Sequence, residues 1–359
     1  MYKKLSVLLV FIVGLVLVSY TTVDSKNVLN NSWSKKVSLD TTLLINDGPY
    51  IFIASDSLIE KRITNGVLES NSLALQTLPS QFKDESSAYN NVPKIAALSD
   101  IHGQYQLAIT LLKNNKIIDA SENWAYGDGH FVIVGDIFDR GPNVTELLWL
   151  IFKLEKQAKQ AGGKVHYLLG NHEYMVMLND LRYINKKYRQ TERILRTPYN
   201  QLYGTETILG RWLRSKATII KINDNLFVHG GISSEFIEPS FNLDATNKKM
   251  RLSLMENATD IKWDNTYGKY YDSNGPIWYR GYFSDEFKNE QIKKLLRALK
   301  VKHIVVGHTS QKRVESLFKN RVFAVDTSIK NGVYGELLFI ENDNFYRGTL
   351  DGQKIQIKK

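Results

Sequence analysis

The segment Phe131–Pro142, FVIVGDIFDRGP, decides how the rest of the chain is interpreted. It begins with four apolar residues, three of them β-branched, and continues into a glycine, two aspartates, an arginine and a Gly-Pro pair. A short apolar run that ends in turn signals predicts a buried strand. Asp136, Asp139 and Arg140 would then lie on the loop at the carboxyl end of that strand, which is where open α/β sheets bind their ligands.

Four further segments repeat the pattern of an apolar or strand-like run followed by polar residues and glycine. They end in Asp100-Ile101-His102-Gly103, Gly170-Asn171-His172-Glu173, His229-Gly230-Gly231 and Gly307-His308-Thr309. A single Asp-Xaa-Xaa-Asp segment would be better explained as a charged surface turn. Because the pattern recurs, and because strand, polar loop and helix alternate three times from Pro93 onward, the sequence predicts an α/β domain with one functional site at the strand ends.

Six residues at these strand ends carry donor atoms that bind metals: Asp100, His102, Asp136, Asn171, His229 and His308. Oxygen and imidazole donors without thiolate favour Mn, Fe or Zn. A carboxylate can bridge two ions about 3.5–4 Å apart, and Asp136, which is central in sequence, is the natural bridge. The alternative is that these six are ordinary hydrogen-bonding residues. The other three histidines, His130, His166 and His303, are interpreted as ordinary strand or loop residues.

The sequence contains no cysteine among its 359 residues. This excludes a disulfide framework, thiolate metal sites and a cysteine nucleophile. Any hydrolytic chemistry must therefore depend on metals or use another nucleophile.

Residues 1–25 have the layout of a secretory signal peptide or an N-terminal anchor. Lys3 and Lys4 precede an apolar run from Leu5 to Val18, which is shorter than the roughly 20 residues of a membrane span, and a polar segment follows. A buried N-terminal helix is the alternative. We expect an exported protein, periplasmic or extracellular, that contacts a membrane only if this segment stays uncleaved.

The remaining chain is divided into two parts. Residues 26–92 are expected to form a β-rich extension, in which Leu43–Ile53 is a pair of strands joined by a turn at Asp47-Gly48-Pro49. Residues 93–359 are expected to form the catalytic domain, with a basic helical insertion at about 174–216.

Positive charge is concentrated in one part of a chain whose net charge is +10. Between Leu181 and Lys221, ten lysines and arginines accompany two glutamates and several aromatic residues. Three interpretations remain open: a solvated helical face, a lid over the metal cleft that attracts anionic substrates by its field, and a nucleic-acid surface. The nucleic-acid surface is the weakest, because an exported protein seldom meets its own genome and no recognised nucleic-acid motif accompanies the charge.

The five strand-end segments, in this order from Asp100 to Thr309, resemble the calcineurin-like metallophosphoesterase superfamily and, within it, the phosphoprotein-phosphatase type. The exported N-terminus, the Asp47–Tyr50 turn and the Trp278–Gly281 segment are similar to bacterial Shewanella-like protein (tyrosine) phosphatases. The resemblance implies a four-layer α/β/β/α sandwich of two mixed β-sheets flanked by helices. The eukaryotic enzymes' C-terminal Ser-Ala-Pro-Asn-Tyr-Cys element is missing, so their substrate preferences are not transferred.

The resemblance also implies roles for individual residues. One divalent ion would be held by Asp100, His102 and Asp136, and a second, divalent or part of a mixed-valence pair, by Asp136, Asn171, His229 and His308. A hydroxide that bridges both ions would attack phosphorus in line. Arg140 and Arg280 would bind the phosphate oxygens. His172 would protonate the leaving group, and Asp139 would orient it.

The function expected from these residues is that of a dinuclear-metal phosphomonoesterase. It would be a protein phosphatase that acts on phosphotyrosine. Phosphoserine and phosphothreonine are further candidate substrates. The alternatives are a phosphodiesterase, a nucleotide or polyphosphate hydrolase on the same scaffold, and a non-catalytic anion-binding protein. Arg140, placed directly after Gly-Asp-Xaa-Xaa-Asp, favours monoesters.

Overall fold

The computed structural model describes residues 44–255 and 261–358. The expected signal peptide or anchor at residues 1–25 therefore lies outside the described residues. Within the described ranges, no helix has the length and apolarity that a membrane span requires.

Fifteen strands and eight α-helices form within the described ranges. The strands are β1 (Asp47–Ile53), β2 (Ser57–Thr64), β3 (Val67–Ala74), β4 (Ala88–Tyr89), β5 (Lys94–Leu98), β6 (His130–Ile133), β7 (Lys164–Tyr167), β8 (Ile219–Ile222), β9 (Asn225–Val228), β10 (His303–Val306), β11 (Glu315–Leu317), β12 (Val322–Ala324), β13 (Leu337–Glu341), β14 (Asn344–Gly348) and β15 (Lys354–Gln356). The helices are α1 (Tyr105–Asn114), α2 (Val144–Gln160), α3 (Asn171–Met177), α4 (Lys186–Leu195), α5 (Ile208–Arg214), α6 (Leu243–Ser253), α7 (Gly268–Tyr271) and α8 (Asn289–Leu299).

Two six-stranded sheets form the centre of the fold. One has the strand order β15-β14-β13-β5-β6-β7 and the other β11-β12-β10-β9-β8-β4. Each sheet is mixed, since β5, β6 and β7 run parallel while β13 pairs with β5 antiparallel, and β9 pairs parallel with β10 but antiparallel with β8. The expected mixed α/β architecture is confirmed.

The sheets stack face to face because their strands carry apolar side chains on both faces of each sheet. Val132 of β6 is buried in the same core cluster as Phe227 of β9 and Val305 of β10. Phe131 and Ile133, the neighbours of Val132, are buried in a second cluster with residues of α1 and α2. This alternation follows the two-residue period of a strand, and it gives each sheet one face for the other sheet and one face for helices.

The strands deliver the predicted donor residues to one place. The loops that follow β5, β6, β9 and β10 contain Asp100, Asp136, His229 and His308, respectively, and Asn171 is the first residue of α3, which follows β7. The polar loops therefore all leave from carboxyl ends of strands, as the sequence pattern predicts.

The N-terminal β1–β2–β3 sheet differs from the sequence prediction at its first strand. Asp47, Gly48 and Pro49 do not form a turn between two strands, because they are the first residues of β1. The pairing with β2 shifts between Asp47, which lies opposite Ile63, and Tyr50, which lies opposite Lys61. The glycine and proline therefore form a bulge within β1. Bulges, like turns, are structures in which these two residues are favoured.

The basic insertion is helical, and it packs against the N-terminal sheet. Thr191 of α4 donates a hydrogen bond to the buried Asp47 carboxylate at 2.6 Å, and Lys187 pairs with the same carboxylate at 3.3 Å. Ile51 of β1 shares a buried cluster with Ile208 of α5. The insertion is thus fixed to β1 through both polar and apolar contacts.

The cations of the basic segment do not form a single solvated face. Lys216 is buried between Glu85 at 3.0 Å and Glu155 at 2.5 Å. The Lys187 side chain is only 11% exposed and is neutralised by Asp47 and Glu146. These lysines stabilise the packing of the segment, so the interpretation of a solvated face is wrong for them.

Candidate metal centre and active site

Six of the ten predicted site residues have left-handed backbone conformations. The φ angles are +55° at Asp100, +47° at His102, +60° at Asp136, +72° at Asp139, +64° at Arg140 and +64° at His308. Non-glycine residues rarely adopt this region, and each instance costs on the order of 1–3 kcal/mol unless the surroundings enforce it. Such strain clusters at functional sites, so the loops are shaped for side-chain placement rather than for stability.

The buried Glu173 carboxylate holds the strained loop after β6. It accepts hydrogen bonds from the backbone N–H groups of Asp136 at 2.9 Å, Ile137 at 2.7 Å and Gly170 at 2.7 Å. The Tyr167 hydroxyl donates a further bond at 2.8 Å. Glu173 therefore ties the loops after β6 and β7 together, a role that the sequence interpretation did not assign to it.

Glycine is required where these loops touch. A Cβ atom at Gly170 would lie 2.2 Å from Oδ1 of Asp136, and one at Gly141 would lie 2.3 Å from the carbonyl oxygen of His102. Real Cβ contacts are never this short, because the atoms would overlap. The glycines of the two motifs therefore allow the donor loops to approach each other.

Oδ2 of Asp136 lies at the centre of the predicted donor set. It is 3.1 Å from Nε2 of His229, 3.6 Å from Nε2 of His102 and 3.9 Å from Nε2 of His172. Asn171 places its Oδ1 atom 2.9 Å from Nε2 of His229. One carboxylate oxygen thus faces three imidazole nitrogens in a buried cluster.

Among residues 44–255 and 261–358, two groups of side chains could hold a metal ion, and Asp136 belongs to both. The first is His102, Asp136 and His172, and the second is Asp136, His229 and His308; within each group the donor atoms lie within 4.8 Å of one another. Asp100, expected in the first set, places Oδ1 3.8 Å from Nε2 of His102. A position shared by two groups is what a bridging carboxylate requires.

The histidine tautomers fit metal ligation. Nδ1 of His102 lies 2.6 Å from the carbonyl oxygen of Phe138, and Nδ1 of His229 lies 2.7 Å from that of Val134. An Nδ1–H that donates to a backbone carbonyl leaves Nε2 to bind a cation, the arrangement typical of ligating histidines. Nε2 of His229 faces two acceptor oxygens, Oδ2 of Asp136 and Oδ1 of Asn171, so it would give up its proton when a cation binds. Nε2 of His308 is buried without a hydrogen-bond partner among the described residues. The residues present therefore fit a bound cation.

The electrostatics of the cluster agree with this interpretation. Burial lowers the pKa of His102 to about 3, and burial together with His229 lowers the pKa of His308 to about 2, so both rings are neutral. Burial would raise the pKa of Asp136, but His229 and His172 hold it well below its usual range. Burial would lower the pKa of His229, but the charge of Asp136 raises it to about 10, so this ring is cationic. The site therefore combines two neutral imidazoles and one imidazolium with an ionised Asp136 carboxylate, and a bound cation would take the place of the His229 proton.

The second carboxylate is fixed by its own donors. Oδ2 of Asp100 accepts hydrogen bonds from the Ser99 hydroxyl at 2.6 Å and from the His308 backbone N–H at 2.8 Å. Because these donors occupy Oδ2, Oδ1 is the oxygen that faces His102. Asp100 also connects the two sheets, since His308 follows β10 and Asp100 follows β5.

The predicted acid pair and the first arginine lie beside the donor cluster. Nδ1 of His172 is 2.5 Å from Oδ2 of Asp139. The exposed Arg140 places a guanidinium nitrogen 3.4 Å from Nε2 of His172 and its Nε atom 3.3 Å from Nε2 of His102. The guanidinium therefore borders both the donor cluster and the acid pair.

The basic insertion positions Arg140. The Arg140 backbone N–H donates to the carbonyl of Tyr183 at 2.9 Å, and Asn185 donates to the carbonyl of Arg140 at 2.7 Å. The Tyr183 ring lies 5.5 Å from the guanidinium of Arg140 and 5.5 Å from the ring of His172. Tyr183, which is 44% exposed, forms one rim of the cleft.

Arg280 lies at the other side of the cluster, next to His308. It donates to the His308 carbonyl at 2.7 Å and to the Thr309 hydroxyl at 3.1 Å, and its side chain is exposed. The ring of Trp278 lies 5.5 Å from that of His308. Arg280 and Trp278 thus border the second predicted metal position.

An aromatic cavity of about 250 Å³ opens beside Asn171. It is lined by Tyr174, Met175, Tyr271 and Trp278, among others. Glu173, Tyr183 and Trp278 all contact the predicted residues, yet no role was assigned to them from sequence. Trp278 and Glu173 lie inside motifs that the sequence singles out, whereas Tyr183 carries no signal beyond its place in a basic aromatic segment.

The calcineurin-like phosphoesterase family model matches residues 93–312. Shewanella-like protein phosphatase 1 of Plasmodium berghei (strain Anka) is 28% identical over 265 residues, which cover 69% of this chain and 72% of that protein. Shewanella-like protein phosphatase 2 of Arabidopsis thaliana is 26% identical over 312 residues, which cover 71% and 76%, respectively.

Solved structures give the same result. The cold-active protein-tyrosine phosphatase of a psychrophile, Shewanella sp., is 44% identical, with a TM-score of 0.83 over 88% of this chain and 100% of that chain. A protein serine/threonine phosphatase from Saccharomyces cerevisiae is 17% identical, with a TM-score of 0.52 over 78% and 85%. The second likeness concerns the fold alone.

Proposed function

Because the chain belongs to the calcineurin-like phosphoesterase family and is a phosphoric monoester hydrolase, we propose that it is a dinuclear-metal protein phosphatase that acts on phosphotyrosine. The position of Asp136 carries the proposal. Its Oδ2 atom faces three imidazole nitrogens at 3.1–3.9 Å, and the same carboxylate belongs to both groups of potential ligands.

Two divalent or mixed-valence ions would be held by this donor set. One ion would be bound by Asp100, His102 and Asp136, and the other by Asp136, Asn171, His229 and His308. The donors are oxygen and imidazole, which suit Mn, Fe or Zn. When bound, the ions would supply the Lewis acidity that polarises the phosphoryl group and lowers the pKa of a water molecule.

Two arginines would bind the phosphate. Arg140 offers a planar guanidinium at the border of the donor cluster, and the Tyr183 loop fixes its backbone. Arg280 stands next to His308, with one guanidinium nitrogen held by the His308 carbonyl. Guanidinium groups match the geometry of phosphate oxygens, so the two side chains would orient a monoester from opposite sides.

His172 would act as the general acid. Asp139 would accept the Nδ1–H of His172, so in the imidazolium form Nε2 carries the second proton, which would pass to the leaving oxygen and leave a neutral ring. Arg140 lies 3.4 Å from the same nitrogen and would keep the phosphate of the substrate beside it. A carboxylate that fixes the histidine tautomer is the arrangement that proton transfer requires.

A phosphorylated protein or peptide is the proposed substrate. The 44% identity to a Shewanella protein-tyrosine phosphatase supports phosphotyrosine. The aromatic rims formed by Tyr183 and Trp278 also favour an aryl group between them. Phosphoserine and phosphothreonine are further candidates that a substrate panel must test.

The proposed place of action is outside the cytoplasm. This proposal rests on Lys3, Lys4 and the apolar run from Leu5 to Val18. Expression of the full chain and of a variant that lacks residues 1–25, followed by cell fractionation, would test it. Retention of the full chain in the cytoplasm would contradict export, and recovery with membranes would indicate an uncleaved anchor.

Metal-dependent turnover tests the proposed function directly. The protein would be depleted of metal, reloaded with Mn, Fe or Zn, and assayed with phosphotyrosine, phosphoserine and phosphothreonine peptides, 4-nitrophenyl phosphate and its bis-ester. We expect about two ions per chain and preferred hydrolysis of aryl monoesters. Faster turnover of the diester, or one ion per chain at full activity, would overturn the proposal.

A further inference from the structure

A second basic site lies outside the metal cleft. It is a groove of about 660 Å³ lined by residues 80–82 and 84 and by residues of and next to α5 and α6, and the cations that line it are Arg211, Arg214, Lys248 and Arg251. Asp84 is the single acidic residue among the described residues that line it. The groove shares no residue with the candidate metal site.

Backbone carbonyl groups, rather than carboxylates, hold two of the arginines in place. Arg211 donates from Nε to the carbonyl of Thr205 at 2.5 Å and from a terminal nitrogen to that of Ser80 at 3.2 Å. Arg214 donates to the carbonyl of Tyr203 at 2.6 Å. These bonds fix the guanidinium groups in direction without neutralising their charge, which makes the groove a preorganised receptor for anions.

The positive charge of the groove is only weakly compensated. Arg251 pairs with Asp84 at 3.1 Å, but the Asp84 side chain is 66% exposed, and the nearest acid to Arg211 is Glu206 at 3.8 Å. Across residues 44–255 and 261–358, no carboxylate lies within 4.0 Å of Arg214 or Lys248. In both pairs the carboxylate is exposed, and an ion pair with an exposed partner contributes little, so an incoming anion can displace it at small cost.

The apolar part of the groove indicates which kind of anion fits. Leu252 and Met255 are 42% and 60% exposed at its edge. Phe82 is the one aromatic residue in the described lining, and its ring packs against Phe152 with centroids 6.0 Å apart. Single-stranded nucleic acids bind to stacks of exposed aromatic side chains. Exposed aliphatic side chains beside cations instead suit a peptide that carries both carboxylates and apolar side chains.

The groove is connected to the cleft through the end of α6. Leu252 and Met255 line the groove, while the hydroxyl of Ser253, between them, lies 2.5 Å from the Tyr271 hydroxyl. Tyr271 lines the aromatic cavity beside Asn171. A peptide bound in the groove is therefore close to the wall of the cavity that adjoins the candidate metal site.

We propose that this basic groove binds an acidic peptide segment, outside the site of chemistry. Given the proposed function, on which this part rests, the segment belongs to the phosphoprotein substrate and lies at a distance from its phosphorylated residue. Such a contact would raise the affinity for acidic substrates by multivalent binding without a change in the metal site.

A binding experiment without turnover tests the groove. A fluorescent, non-phosphorylated peptide of alternating Glu and Leu would be titrated by anisotropy with the full chain, next to the same peptide with Gln in place of Glu. The test variant is Lys248→Glu, because Lys248 is exposed and has no ion-pair partner in the described ranges. The matched control is Lys294→Glu, since Lys294 is an exposed residue of α8 that also forms no ion pair with any residue the structure describes.

We expect the acidic peptide to bind on the order of tenfold more tightly than the Gln peptide in low salt, because charge complementarity supplies the difference. Lys248→Glu should weaken that binding about fivefold, and Lys294→Glu should leave it unchanged. Equal Kd values for the two peptides, or equal effects of the two substitutions, would overturn the proposal. If an oligonucleotide binds more tightly than the acidic peptide at the same salt concentration, the ligand of the groove is a nucleic acid and the proposal of a peptide is wrong. Thermal unfolding of each variant verifies that it is folded.

A kinetic experiment then connects the groove with the substrate. Phosphotyrosine peptides with and without an acidic extension would be compared by their ratio of kcat/KM, which should exceed one in wild type and fall in Lys248→Glu. If no phosphopeptide is hydrolysed while the acidic peptide still binds, the proposed function is wrong, but the proposal that the groove binds an acidic peptide is supported. If turnover is normal but the ratio equals one in wild type, the acidic segment does not belong to the substrate.

Discussion

His172 and Asp139 form a buried pair in which Nδ1 of the imidazole lies 2.5 Å from a carboxylate oxygen. Asp139 lies in the loop after β6 and His172 lies in the first turn of α3, and the buried Glu173 carboxylate ties these two segments together through backbone N–H groups. Asp139 also has a left-handed backbone, with φ +72°. Asp139 is therefore placed by a strained loop, whereas His172 is held in the first turn of α3, and the chemistry of the pair can be tested by rates measured together with metal content.

His172→Ala should reduce kcat on alkyl phosphates by about 10²–10⁴-fold and reduce it far less on 4-nitrophenyl phosphate, because only a poor leaving group needs the proton. Nε2 of His172 also lies 3.9 Å from Asp136, within a group that could hold a metal. Metal content therefore has to be measured with the rates. Equal losses on both esters would remove the acid assignment, and a loss of one ion would make His172 a ligand.

Asp136→Asn should abolish activity and lower the metal content together. The substitution removes the charge from the one carboxylate that belongs to both potential ligand groups. Metal analysis and phosphatase assays would be run beside Asp128→Asn, whose carboxylate is 67% exposed and 3.8 Å from Lys94. Unaltered metal stoichiometry in Asp136→Asn would contradict a bridging role.

Glu173→Gln should lower the free energy of unfolding by about 3 kcal/mol. The amide offers one acceptor oxygen where the carboxylate offers two, and its NH₂ group would face backbone N–H donors that lose their partner. Urea unfolding would measure the loss. Glu341→Gln, which removes a partly exposed pair with Lys354, is the control, with an expected loss below about 1 kcal/mol. Similar losses in the two variants would mean that Glu173 does not hold the loops.

The sequence predicts that Asp100, Asp136 and His308 lie at strand ends, because a single residue separates each of them from an apolar run. Position after a strand is a local property, so Asp100, Asp136 and His308 can be placed at one edge without knowledge of tertiary contacts. The contacts of Tyr183 with Arg140 and His172 depend on how the insertion folds back, which no local pattern encodes. The prediction of a turn at Asp47-Gly48-Pro49 was wrong for a related reason, since these residues favour either a turn or a bulge. The tertiary contact that buries the Asp47 carboxylate against Thr191 decides between the two structures.

Lys187→Gln should destabilise the protein by about 2 kcal/mol and leave the salt dependence of kcat/KM unchanged. The ammonium group contacts the buried Asp47 carboxylate at 3.3 Å and Glu146 at 3.0 Å, so it neutralises the interior instead of attracting substrate. Urea unfolding and assays at several salt concentrations would be compared with Lys186→Gln, an exposed neighbour. A flatter salt curve for Lys187→Gln alone would restore the interpretation of this lysine as part of a steering surface.

Acid should destabilise the protein partly through a histidine pair that lies away from the predicted metal donors. Nε2 of His166 is 2.9 Å from Nδ1 of His130, on the neighbouring strands β7 and β6. Burial lowers the pKa of His130 to about 4, and burial also holds the pKa of His166 well below its usual range. Both rings are therefore neutral in the folded chain at neutral pH.

Since the unfolded chain binds these protons near pH 6.5 and the folded chain does not, the free energy of unfolding should fall as the pH decreases from about 6.5 towards 4. His130→Asn keeps a polar partner for His166 and removes one titrating group. Between pH 7 and pH 4.5, the decrease in the free energy of unfolding should be about 1 kcal/mol smaller for this variant than for wild type. This value is reduced to allow for the partial exposure of His130. Urea unfolding at both pH values would measure this difference. Identical pH profiles for the two proteins would show that the pair takes up its protons without unfolding, against the burial that the structure gives it.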